Sequence, residues 1–120
     1  MLAGCANPNA TKPETPKLCW RARDVVRLIL NLIDSDPTKV ETMIFYRNGD
    51  VSMTFGYSDG RTVSLCGPIY QWRITAGRLL IFKPIKNTIY DELTLISRDS
   101  KIITVRRRNG KLAKYKYKIL

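Results

Sequence analysis

The chain has no histidine, and its 120 residues include only three cysteines and 10 acids. Without histidine, the commonest general base and the commonest nitrogen ligand for metals are both missing. The cysteines, Cys5, Cys19 and Cys66, have no paired ligand spacing, so no zinc site is expected. There is no Gly-rich phosphate loop, and Ser52, Ser64 and Ser97 stand outside any nucleophile motif. The adjacent acids Asp91 and Glu92 fall in a segment with strand alternation, where neighbours point to opposite faces, so they cannot act as a pair. A non-catalytic protein that needs no cofactor is the expectation. No window approaches the roughly 18 unbroken apolar residues of a membrane-spanning helix, so attachment to a membrane would come through lipid.

Acid is scarce where base is abundant. Twenty-one lysines and arginines give a net charge of +11. Seven of them lie in the last fifteen residues, where there is no acid: Arg106, Arg107, Arg108, Lys111, Lys114, Lys116 and Lys118. In the final segment Ala113, Tyr115, Tyr117 and Ile119 alternate with Lys114, Lys116 and Lys118, which predicts a strand with a lysine ladder on its wet face. Two uses fit such a ladder. It can protect the edge of a sheet from pairing with another chain, or it can form an anion-binding strip for phosphate groups of lipid headgroups, lipopolysaccharide or nucleic acid.

Residues 1–17 are proline-containing, small and polar, without apolar period, and read as a flexible tether. Residues 18–120 read as a single β-rich domain. An amphipathic helix is predicted over about 21–34: Val25, Leu28, Ile29 and Leu32 share one face, while Asp24, Arg27, Asn31 and Asp34 mark the other. A buried strand is the alternative for the apolar run 25–33; strict alternation is absent, and the polar stripe favours the helix.

From Val40 onward the period is two. Strands are predicted near 40–47, 51–57, 61–66, 69–75, 78–83, 89–97, 101–107 and 111–119. Asn48-Gly49-Asp50, Ser58-Asp59-Gly60, Ala76-Gly77 and Asn109-Gly110 supply the turns between them. The expected fold is mainly β, an antiparallel meander of about eight strands closed as a barrel or strongly curled, with one N-terminal amphipathic helix.

Two resemblances add to this. Leu2-Ala3-Gly4-Cys5 resembles the lipobox of bacterial lipoproteins, which implies acylation of Cys5 and a basic, apolar leader upstream of Met1. Ala6 after the cysteine implies sorting to the periplasmic face of the outer membrane. With Cys5 acylated, Cys19 and Cys66 remain as an even pair in an oxidising compartment. A bridge between them would close a long loop worth roughly 3–4 kcal/mol on the chain-entropy model; two buried thiols are the alternative. The second resemblance lies in Phe45 to Val51, Gly67-Pro68-Ile69-Tyr70-Gln71-Trp72-Arg73-Ile74, Gly77 to Ile81 and Tyr90 to Leu95, phrases similar to those of small lipocalin-like lipoprotein domains. It covers the chain from Val40 to Leu120 and implies Tyr70 and Trp72 as ligand-lining residues. The chain departs from that family at its start, where Cys19 precedes Trp20 and the predicted helix takes the place of a first barrel strand. Together the readings imply a lipid-anchored, non-catalytic envelope protein that binds an apolar or anionic ligand or an envelope protein partner. The other reading is a cytosolic nucleic-acid-binding β-barrel in which Tyr115 and Tyr117 stack bases.

Overall fold

The computed structural model describes residues 18–58 and 63–120, with Val63–Cys66 described through its backbone. Among the described residues one helical turn, α1 (Ala22–Val25), precedes nine strand segments. They are β1 (Leu28–Ile33), β2 (Lys39–Phe45), β3 (Asp50–Ser58), β4 (Val63–Cys66), β5 (Ile69–Thr75), β6 (Arg78–Lys83), β7 (Thr88–Arg98), β8 (Ile102–Arg106) and β9 (Leu112–Ile119). Each pairs antiparallel with its neighbours; β1 joins both β2 and β9, and β2 joins β3, so the sheet closes on itself.

Segments β4 and β5 are two halves of one strand. Cys66 stands opposite Phe55 and Ile69 opposite Ser52, which is a single unbroken register along β3. Gly67 and Pro68 interrupt the strand because proline has no N–H for the ladder. Its carbonyl still accepts from the Met53 amide at 2.9 Å. The result is an eight-stranded up-and-down antiparallel barrel, and closure leaves no free sheet edge among the described residues.

The helix predicted over about 21–34 is confined to one turn. Arg27 adopts φ +70 and ends it, and Leu28–Ile33 continues as a strand. Long-range pairing decides the matter. The Arg27 amide donates to the Phe45 carbonyl, the Leu120 amide donates to the Arg27 carbonyl, and β1 pairs along its whole length with β9. Leu28 and Leu30 are fully buried while Ile29 between them and Asn31 after them are partly exposed, so the segment alternates as a strand of a barrel wall does.

Buried apolar side chains line the interior. Leu28, Leu30, Met43, Phe45, Val51 and Met53 from the first three strands meet Trp72, Leu79, Ile81, Leu93, Ile103 and Val105 from the others, all buried. The two ends of the barrel differ. At the end bearing the turns 46–49, 76–77 and 99–101, Trp20 is inserted and only 2% exposed. Its amide donates to the Gly77 carbonyl at 2.8 Å and its indole Nε1 to the Leu93 carbonyl at 3.0 Å. The turn that receives it has positive φ at both Ala76 and Gly77, the tight hairpin geometry that matches strand twist. The loops 34–38, 84–87 and 107–111 surround the opposite end, here called the rim.

Candidate functional site

The rim end of the interior is polar. Strand alternation carries Glu41 inward in phase with Met43 and Phe45, and Arg107 inward in phase with Ile103 and Val105. A bulge in β7 skips Tyr90 between the pairs Ile81–Asp91 and Phe82–Ile89, so Tyr90 packs against the core and Asp91 is buried beside it. Arg107 then bridges two carboxylates. Its Nε donates to Asp91 Oδ2 at 2.8 Å, its Nη2 lies 2.7 Å from the same oxygen, and its Nη1 donates to Glu41 Oε1 at 3.3 Å. The Tyr115 hydroxyl donates to Glu41 Oε2 at 2.7 Å, and the amides of Glu92 and Arg108 donate to Asp91 Oδ1. Among the described residues no buried side-chain polar atom lacks a partner.

Burial works against the charge of Arg107, but Tyr115, Glu41 and Asp91 outweigh it and hold the guanidinium above its ordinary range. Burial, reinforced by Glu41, pushes the Tyr115 phenol well above its ordinary value, and the same causes raise Tyr90. This cluster is a girder. It fastens the 107–111 hairpin to β2 and β7, and its donors and acceptors are all engaged. Outside it lies a cleft of about 460 Å³ bordered by Tyr90, Asp91, Arg107, Arg108 and Asn109. Asp91 and Glu92 face opposite ways, as alternation requires: Glu92 Oε2 accepts from Arg78 Nη1 at 2.9 Å on the outer wall.

The expected anion-binding residues divide. Arg107 is removed from the strip, because its guanidinium is committed to two internal carboxylates. Arg106, Arg108, Lys111, Lys114, Lys116 and Lys118 are exposed. Arg108 donates through Nη1 to the Ile89 carbonyl at 2.9 Å, which ties its hairpin to the start of β7. Lys114, Lys116 and Lys118 form a column along the outer wall, with successive residues roughly 7 Å apart. Lys114 stands opposite Ile33 and Thr104, and Lys116 opposite Asn31 and Ile102. Among the described residues none of the three enters a salt bridge. Strand β9 is paired on both sides, so the column guards no edge. Lys101, from the turn before β8, joins it: with Lys116, Lys118 and Asn31 it borders a shallow groove of about 480 Å³. Sequence reading passed over Lys101 because it lies outside the last-strand alternation.

The aromatic residues take other places. Tyr115 is fully buried, and the Tyr117 hydroxyl donates to the Asp99 carbonyl at 2.6 Å under the Arg98 guanidinium. Trp72 is a core post: its Nε1 donates to the Tyr46 carbonyl at 2.8 Å and its ring meets Phe45 edge-on at 6.3 Å. Tyr70 rests on Tyr90 with ring centres 5.0 Å apart, above the Arg107 cluster. Cys19 is half-buried directly before Trp20. Cys5 with the tether 1–17, the turn at Ser58-Asp59-Gly60 beyond Ser58, the strand start at Arg61 and the side chain of Cys66 lie outside the described residues, and so therefore does the Cys19–Cys66 pairing.

In comparisons with known proteins, no family model matches the chain, and no curated protein or solved structure matches it significantly. The functional reading rests on the geometry of this chain.

Proposed function

We propose that the protein is a non-catalytic, lipid-anchored component of a bacterial envelope, acylated at Cys5 on the periplasmic face of the outer membrane. Its barrel presents the basic outer face of β9 to phosphate groups of lipid headgroups or lipopolysaccharide. One observation carries this reading: Lys114, Lys116 and Lys118 project from a strand paired on both sides, where protection of a sheet edge gives no reason for them. The buried apolar cluster, which takes in Trp72, supports a ligand on the outer wall. The nucleic-acid reading needs aromatic rings beside the lysines, yet Tyr115 is buried on the opposite face and Tyr117 is tied to Asp99. An envelope protein with an acidic surface would meet the same lysine column.

The test uses full-length protein with Cys5→Ser, so that acylation does not mask the contact. Co-sedimentation with vesicles of phosphatidylcholine mixed with phosphatidylglycerol, or mixed with lipopolysaccharide, separates the two phosphate sources. Each lysine near an anionic surface is worth about 1 kcal/mol, so Lys114→Ala, Lys116→Ala and Lys118→Ala together should weaken binding about a hundredfold. Added salt should do the same by screening. Tight binding to single-stranded DNA with indifference to both vesicles would replace this reading. In the native bacterium Cys5→Ser should move the protein from the membrane to the soluble fraction.

A further inference from the structure

We infer that the 84–87 loop between β6 and β7 is a tip that inserts into an anionic bilayer. The inference rests on the reading above and adds which part of the barrel enters the membrane. Ile85 is 95% exposed, the most exposed large apolar side chain among the described residues. Pro84 leads into the turn and Asn87, at φ +50, closes it, so the loop is short and holds the side chain out. Lys83 and Lys86, both exposed, flank it.

The neighbouring hairpin extends this surface. The bond from Arg108 Nη1 to the Ile89 carbonyl sets the 107–111 hairpin against the base of the loop. Lys111 belongs to that hairpin, and Leu112, 59% exposed, follows it. This half of the rim therefore combines Ile85 and Leu112 with Lys83, Lys86, Arg108 and Lys111. Of the acids near this surface, Asp91 and Glu41 point inward to Arg107, and Asp34, in the loop between β1 and β2, borders a cleft with Lys111 and Leu112 and is paired with Lys39. Scattered apolar residues are ordinary on a protein surface. An apolar tip flanked by lysines has a narrower use, since a bilayer interface rewards both halves: acyl chains take the isoleucine and headgroup phosphates take the lysines. Nucleic acid rewards only the charge.

Two variants of the full-length Cys5→Ser protein test this, using vesicles of phosphatidylcholine alone and vesicles mixed with phosphatidylglycerol. Ile85→Asp should weaken binding to the mixed vesicles by about tenfold or more. Because the side chain is solvated in the fold, the variant should unfold at the wild-type denaturant midpoint. Ile85→Trp should show a blue-shifted emission on the mixed vesicles and not on the neutral ones, above the constant signal of buried Trp20 and Trp72. If Ile85→Asp binds like wild type and the new tryptophan stays wet, while the triple lysine substitution on β9 still abolishes binding, insertion is overturned and the β9 contact stands. If the protein binds neither vesicle, both fail.

Discussion

The two ends of the barrel are closed by opposite chemistries. At one end the indole of Trp20 is buried with its one polar atom satisfied by Leu93. At the other, two carboxylates, a guanidinium and a phenol drawn from β2, β7, the 107–111 hairpin and β9 share a network. The apolar plug gains by leaving water. The ionic cluster gains little, because desolvating three charges costs about as much as their attraction returns. What the second arrangement supplies is position: Asp91 takes both the side chain of Arg107 and the amide of Arg108, and so fixes how the basic hairpin leaves the barrel. One end holds the fold shut and the other aims a surface.

This contrast can be broken first at the plug. Trp20→Ala should cost about 3–5 kcal/mol, read as a fall in the denaturant midpoint, because the indole is large and its site cannot collapse on a closed sheet. An unchanged midpoint would mean that the Trp20 end frays without consequence. The cluster comes second. Arg107→Met keeps the apolar stem and strands Glu41 and Asp91 beside each other, at a cost of about 2–3 kcal/mol, reduced from that of a fully buried pair by the partial exposure of Arg107. Triple replacement of Glu41, Asp91 and Arg107 by apolar residues removes the stranded charges but leaves the Tyr115 hydroxyl and the Glu92 and Arg108 amides without acceptors, so it should recover only part of that stability and should loosen the hairpin, seen as faster hydrogen exchange at Arg108 and Gly110. If the hairpin exchanges as slowly as in wild type, the cluster does not position it.

Much of this contrast was legible beforehand, and unevenly. Turn residues and two-residue alternation located eight strand segments, with Ile69–Thr75 and Arg78–Lys83 matching at both ends. The segment Leu28–Ile33 misleads because Val25, Leu28, Ile29 and Leu32 satisfy a helical period as well as a strand half covered on its outer side. Only its partners on β2 and β9 decide between them, and no local window contains those. The inward course of Arg107 follows from extending the phase of Ile103 and Val105 by one step. Glu41, an acid in phase with Met43 and Phe45, carries the same kind of signal. Asp91 does not: the extra residue Tyr90 resets the strand, and a bulge leaves no plain mark in sequence.

A smaller effect sharpens the comparison from the side of pH. Tyr115 ordinarily ionises near 10, and burial, aided by Glu41, raises it in the fold. The folded state therefore keeps a proton that the unfolded chain releases. The stability tied to this group is complete below pH ~10 and declines as pH rises beyond it. Tyr115→Phe should cost about 1.5 kcal/mol at neutral pH through loss of the hydrogen bond to Glu41. Above pH ~10 the wild-type advantage should narrow in urea titrations, with Tyr90 adding a share of the same sign to both proteins. An advantage that stays constant with alkali would place the Tyr115 hydroxyl in water, outside the cluster.

The outer wall of β9 gives the smallest effect on stability. Lys116 stands between Asn31 and Ile102, exposed, with no ion pair among the described residues. Its neighbour Tyr115 faces the core, so one step along the chain exchanges a side chain the fold depends on for one it does not. Lys116→Ala should move the unfolding midpoint by less than about 0.5 kcal/mol, yet weaken binding to vesicles containing phosphatidylglycerol about fivefold. That loss should fade as salt screens the remaining column. A Lys116→Ala protein that loses stability and keeps its vesicle binding would assign the lysine column to the fold rather than to an anionic surface.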